Sequence, residues 1–226
     1  MKVLIRIFKA FIQCFIFSDV KRVIKTLVLL LVKPFKFLYS FTTIHKIENS
    51  RSEIKLNIGS GDHKGEDGWT NLDYNYGADV AWDLSWGIPF SDNRVSEAHS
   101  THIFEHFDYK SLVYVLKEIH RILKPGATLT ICVPNARLYI EGYLKPDAFD
   151  SDKFCTHLDA YHNHAPIDLI NYVAYMDGHH KIMYDEKNLI EILKSVGFNN
   201  CELREFDPII DLERRKYESL YVKAVK

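Results

Sequence analysis

Ile54-Lys55-Leu56-Asn57-Ile58-Gly59-Ser60-Gly61, followed by Trp69-Thr70-Asn71-Leu72-Asp73, decides the fold. A short apolar strand runs into a glycine turn, and an acid closes a second strand twelve residues after Gly61. Glycines directly after a parallel strand let a bulky ligand reach the backbone, because no Cβ stands in the way. An acid at the tip of the next strand accepts hydrogen bonds from ribose hydroxyls. The pair implies an adenosine-containing ligand at the carboxyl ends of the strands. An ordinary Gly-Ser-Gly loop is the alternative, since so short a motif recurs by chance.

A dinucleotide turn reads G-x-G-x-x-G, with the pyrophosphate on a helix N-terminus and the third glycine at the helix–strand contact. Here Lys64 holds the third glycine's place, and the next glycines are Gly65 and Gly68. The mismatch argues against a nicotinamide or flavin dinucleotide and suits a ligand without a pyrophosphate.

Further motifs follow in order. Ala78–Leu84 is expected to be a third strand ending in Asp83-Leu84, and Gly87–Asn93 a turn. Ala98–Phe107 is expected to be a fourth strand running into a helix. Ile119-His120-Arg121-Ile122-Leu123-Lys124-Pro125-Gly126-Ala127 then leads into Leu129–Asn135, a fifth strand. Over roughly residues 54–140 this order resembles the class I S-adenosylmethionine-dependent methyltransferases, above all the small bacterial type found with polysaccharide-biosynthesis genes. The resemblance implies an α/β fold: a Rossmann-like doubly wound sheet, mostly parallel, with an antiparallel C-terminal strand.

It also implies S-adenosylmethionine as cofactor, bound by Asn57, Gly59, Ser60, Gly61, Asp73, Asp83, Leu84 and His102. Asp83 would accept from the adenine amine and Leu84 would pack near the ring. The segment after strand four lies beside the reactive methyl in the resembled family. His102 and His106 are therefore candidates for the general base, with pocket-shaping as the alternative role. Two departures stand out. The gap from Gly61 to Asp73 is short, so a stunted first helix or a loop is expected there. Ala127 replaces the last glycine of the Leu-Lys-Pro-Gly-Gly turn, with little consequence expected.

Charge divides the chain. Residues 1–50 hold nine Lys or Arg and two acids, a net of +7, while residues 51–226 hold twenty and twenty-eight, a net of −8. An acidic catalytic part repels phosphates, so nucleic acid is not an expected partner. Lys2, Arg6, Lys9 and Gln13 share one helical face, with Leu4, Ile5, Phe8, Phe11, Ile12 and Phe15 covering much of the rest. A second helix is expected over 19–32, capped by Ser18 and ended by Pro34. The longest apolar run, Leu27–Val32, is far short of the roughly 18 residues that span a bilayer. No small-residue cleavage site marks a signal peptide. Basic, Phe-rich amphipathic helices lie on anionic membranes, and packing on the domain or a dimer contact is the alternative. Residues 1–50 are expected to be a separable helical extension, and residues 51–226 the domain that folds without it. Cys14, Cys132, Cys155 and Cys201 are far apart and suggest neither a zinc ribbon nor a disulfide framework, which fits a reducing cytoplasm.

Leu112, Val115, Leu116, Ile119, Ile122 and Leu123 are apolar at helical spacing, so 108–123 is expected to be a helix. Residues 185–196 are expected to be another, capped by Asp185 and closed by Gly197. Residues 201–206 and 217–225 are expected to form the last antiparallel pair. Residues 136–184 are an insert that would roof the crevice, with His179, His180 and Tyr184 expected on the acceptor side. The insert's histidines show no ligand spacing, so no metal is expected. His102, Glu105 and His106 lack the H-E-x-x-H order of a zinc protease.

The expected activity is O-methylation of a sugar or glycan precursor at the cytoplasmic membrane face. A lipid-linked or other small-molecule acceptor is a second reading. A non-catalytic cofactor-binding scaffold is a third, distinguished by binding without turnover. Oligomeric state and the acceptor are not legible.

Overall fold

The computed structural model describes residues 35–50, 52–61, 68–75 and 77–226. A seven-stranded sheet runs in the order β3-β2-β1-β4-β5-β7-β6. Its strands are β1 (Ile54–Ile58), β2 (Trp69–Asp73), β3 (Val80–Ala81), β4 (Val95–Thr101), β5 (Leu123–Pro134), β6 (Asn199–Leu203) and β7 (Ser219–Val225). Strands β3 to β5 in that order pair in parallel, and β7 is antiparallel to both β5 and β6. The doubly wound, mostly parallel architecture expected from the motif order is therefore the one observed.

Parallel strands are covered on both faces, and their sequences become continuously apolar. Ile54, Leu56, Ile58, Ala98, Leu129 and Ile131 are accordingly buried. Helix α2 (Tyr109–Ile122) lays Leu112, Val115, Leu116, Ile119 and Ile122 on this core, and Asp108 caps it by accepting from Ser111 N–H at 2.8 Å. Inside the insert, α3 (Ala136–Leu144), α4 (Ser151–Phe154) and α5 (Pro166–Tyr175) gather a second, smaller core around Tyr139 and Tyr172. Helix α6 (Glu186–Ser195) follows, with Asp185 capping it through Asn188 N–H at 2.7 Å.

Three strands differ clearly from expectation, the fifth by starting six residues early, at Leu123. The third shrinks to Val80–Ala81, because neighbouring acids take up backbone N–H groups that would extend the ladder. Asp79 accepts from Asn71 N–H, and Asp83 caps a 3-10 turn through Ser85 N–H, both at 2.9 Å. The fourth starts earlier, at Val95, and ends where His102 takes a φ of 49°. A short 3-10 turn, Phe104–His106, replaces the expected immediate helix.

The described part of the expected extension packs on the domain. Residues 35–48 form helix α1, which sits against edge strand β3. Ser40 is buried and accepts from Ala81 N–H at 2.9 Å, Ile44 enters the main core, and Phe37 stacks on Trp82 at 5.1 Å. The Glu48 carboxylate receives both Ser91 N–H and its hydroxyl, while Arg94 donates to the Glu48 and Ser50 carbonyls. An exposed sheet edge is a liability, and this helix covers one. A chain starting at residue 51 should thus be less stable than one starting at residue 35. Burying one side chain such as Ile44 is worth about 1.5–3 kcal/mol, and the deletion removes several contacts besides. Urea midpoints of the two truncations check this, and equal midpoints would return residues 35–50 to a dispensable extension. The expected helices over 1–32 lie outside the described residues.

Candidate active site

The strand order reverses between β1 and β4, and an open α/β sheet binds ligands in the crevice beyond the carboxyl ends at such a point. Gly59-Ser60-Gly61 leaves β1 there and His102–His106 leaves β4 there. Gly59 has φ +69°, and an added Cβ would lie 2.1 Å from Ile103 Cδ1 and 2.9 Å from Ile103 Cβ. Only glycine serves at this contact, both sterically and conformationally. Gly61 has φ +57°, and an added Cβ there would meet nothing within 4 Å among the described residues. The Ser60 hydroxyl is buried and has no hydrogen-bond partner among the described residues. Asp73 accepts from Gly61 N–H at 2.9 Å and Asn75 N–H at 2.6 Å, which fixes its carboxylate beside the turn. A carboxylate has about four acceptor positions, so it retains capacity for a diol. Among the described residues, an unanswered hydroxyl, an uncrowded glycine and an oriented acid fit a nucleoside cofactor.

Three of the residues expected at the cofactor have partners or packing within the protein. Asn57 is buried and donates to Asn71 Oδ1 at 3.1 Å, while Asn71 donates to Asp79. It serves a polar tie between β1 and β2 because its side chain leaves the strand into the packed layer. Leu84 belongs to the main core. Asp83 stands at the end of the shortened β3, where its Oδ1 caps the following turn.

Beyond Ile103 the chain lines a cavity of about 330 Å³ with His102, Glu105, His106, His179, His180 and Arg215. Four of the five histidine and tyrosine positions expected at the site thus meet in one place. Tyr184 does not. It is 1% exposed, and its hydroxyl donates to Phe104 O at 2.9 Å, so it supports the 3-10 turn from beneath. Lys181 N–H donates to Glu105 O at 2.8 Å and holds the same turn.

Glu105 is the residue sequence reasoning passed over. It is 1% exposed, and neither carboxylate oxygen has a hydrogen-bond partner among the described residues. Burial pushes its pKa up to about 8. Three imidazoles surround Oε1: His102 Nδ1 at 3.6 Å, His106 Nε2 at 3.9 Å and His180 Nε2 at 4.0 Å. His106 Nδ1 meets His179 O and His180 Nδ1 meets Val173 O, each at 2.9 Å. A carbonyl only accepts, so both Nδ1 atoms carry the proton and both Nε2 atoms present lone pairs. Burial lowers the pKa of His180 to about 4 and holds His102 well below the usual imidazole value, with the Arg215 charge adding to the latter. His102 Nε2 lies 2.8 Å from Ser219 Oγ. When that nitrogen donates to the hydroxyl, Nδ1 is a free base facing the cavity.

The only sequence signal for Glu105 was its place between two histidines; its burial comes from the turn that Tyr184 and Lys181 hold. Glu218, at 2% exposure, ties the insert to β7 by accepting from Tyr139, Tyr172 and Thr156 hydroxyls at 3.3, 3.4 and 2.8 Å. Arg215 pairs with Glu218 and lies 2.9 Å from His157 Nε2, closing one wall of the cavity.

A solved structure shares this architecture. A SAM-dependent methyltransferase from Archaeoglobus fulgidus is 16% identical with a TM-score of 0.51, the match covering 84% of this chain and 94% of that one. A SAM-dependent methyltransferase from Methanosarcina mazei is 19% identical with a TM-score of 0.49, covering 81% and 96%. No curated protein sequence matches the chain. The methyltransferase-domain family matches residues 36–203, a span that takes in nearly all of α1, the glycine turn and every histidine of the cavity, with Arg215 beyond it. The chain belongs to that family and is a methyltransferase.

Proposed function

We propose that this methyltransferase moves a methyl group from S-adenosylmethionine to a hydroxyl of a sugar or glycan precursor. The observation that carries the reading is that the glycine turn packs on Ile103, whose chain neighbours His102, Glu105 and His106 line a separate cavity. The turn holds Asp73; the cavity is lined with imidazoles and a buried acid. S-adenosylmethionine is the cofactor, and when bound it supplies an electrophilic methyl on a sulfonium. The chain's own part is to bind, orient, exclude water and manage one proton. Asp73 holds the ribose hydroxyls. Glu105, His106 and His180 define the acceptor's seat, and His102 Nδ1 takes the hydroxyl proton as the oxygen becomes a nucleophile. The carbohydrate identity rests on the sequence resemblance and on a cavity lined largely by polar side chains.

Action at the cytoplasmic face of an anionic membrane is part of the proposal. Its support is the +7 charge of residues 1–50 and the apolar residues among them. Among the described residues no helix is long and apolar enough to cross a membrane. Anionic vesicles should bind the full chain more strongly than one starting at residue 35, and less as salt rises. Equal binding would remove this part.

Incubation with S-adenosylmethionine and a panel of sugar and sugar-nucleotide acceptors tests the activity. The expected product carries one added methyl group, with stoichiometric S-adenosylhomocysteine. Binding of the cofactor with turnover on no acceptor would favour the scaffold reading. Asp73→Ala should weaken S-adenosylhomocysteine binding by about 1.5–3 kcal/mol per lost charge-assisted hydrogen bond.

A further inference from the structure

We propose that Glu105, His106 and His180 form a binding site for one divalent transition-metal ion, zinc first among them, in the wall of the acceptor cavity. Their three ligand atoms lie within 4.8 Å of one another. The two imidazoles are prepared for coordination in the way metal-binding histidines are. Each donates Nδ1–H to a backbone carbonyl, which fixes ring and tautomer and turns the Nε2 lone pair toward Glu105. The carboxylate is the independent sign of a missing partner. It is 1% exposed and both oxygens lack a hydrogen bond among the described residues, a rare state for a buried acid.

The separations of 3.9 and 4.0 Å between Glu105 Oε1 and the two Nε2 atoms are too long for hydrogen bonds. They suit ligands waiting around one ion. Bonds of about 2.0–2.2 Å put tetrahedral ligands roughly 3.4 Å apart, so the two imidazoles must each close on Glu105 by about half an ångström and on each other from a separation of at most 4.8 Å. Two imidazoles and one carboxylate match zinc and leave a coordination position open toward the cavity. An acceptor hydroxyl bound there would lose its proton more readily, and His102, outside the ligand set, would receive it. That role rests on the methyl-transfer reading; binding of the ion does not. The ligands come from two distant segments, 105–106 and 180, which is why sequence spacing leads to the opposite expectation.

The experiment is a zinc titration of the chelator-treated full chain by calorimetry, with metal analysis after gel filtration. One zinc per chain is expected. His106→Ala removes a half-exposed ring, and Glu105→Gln preserves shape; each should weaken zinc binding more than about 100-fold. Unchanged circular dichroism and S-adenosylhomocysteine binding show that both variants are folded. If wild-type chain takes up no zinc, or if binding survives both substitutions at surface histidines, the proposal is overturned. Cofactor binding without zinc would sink the metal site alone, and zinc without cofactor binding would sink the methyl-transfer reading alone.

Discussion

His102→Ala should lower kcat by roughly 10²–10⁴-fold while leaving S-adenosylhomocysteine affinity nearly unchanged. His102 is the cavity histidine outside the proposed ligand set whose ring is almost fully enclosed, with Nδ1 3.6 Å from Glu105 Oε1. Ser219 meets its other nitrogen, so the ring is oriented by a strand and not by solvent. Its backbone φ of 49° costs conformational energy that few non-glycine residues bear, and such strain gathers at functional positions. Removing a base from a site that binds the cofactor elsewhere depresses the chemical step alone. Parallel loss of cofactor affinity would make His102 a wall of the cofactor pocket, as the resemblance also allowed. Full activity would exclude it as the base. Single-turnover kinetics beside calorimetry separate these outcomes.

Glu218→Ala should destabilise the fold by about 3–5 kcal/mol, since it leaves a buried cation and several hydroxyls without their acceptor. Glu218 is buried at the base of β7 and receives Tyr139, Thr156 and Tyr172, while Arg215 pairs with it. The Tyr139 and Tyr172 rings, 5.4 Å apart, are the centre of the insert's own core. Hydrogen exchange should therefore rise most over residues 136–184, and the urea midpoint should fall. A loss below about 1 kcal/mol would mean that the insert holds itself together without this carboxylate, as an exposed pair would.

The sequence made the parts with local causes legible. The β1 glycine turn, the amphipathic stripe of α2 and the Asp185 cap of α6 are each written within one helix or one turn, and each is found in place. Side-chain direction was harder. Asn57 and Leu84 lie in the right motifs but face packed layers. Tyr184 lies at the end of the insert, yet its hydroxyl is drawn under the turn by Phe104 O. Period-two and period-3.6 patterns say which residues share a face, not what covers that face. Glu105 was invisible for the same reason: its burial depends on Lys181 and Tyr184, over seventy residues away. The docking of α1 on β3 was hidden because one serine–amide bond and a cluster of Phe and Trp rings carry it, with no motif.

Calorimetry of the full chain with S-adenosylhomocysteine, NAD and FAD, repeated on Asp73→Ala, addresses the central claim most directly. The glycine turn and the acid it hydrogen-bonds should bind S-adenosylhomocysteine and neither dinucleotide, and the substitution should weaken that binding by about 1.5–3 kcal/mol per lost bond. Tight binding of NAD, or an Asp73→Ala chain that binds S-adenosylhomocysteine as the wild type does, would contradict it.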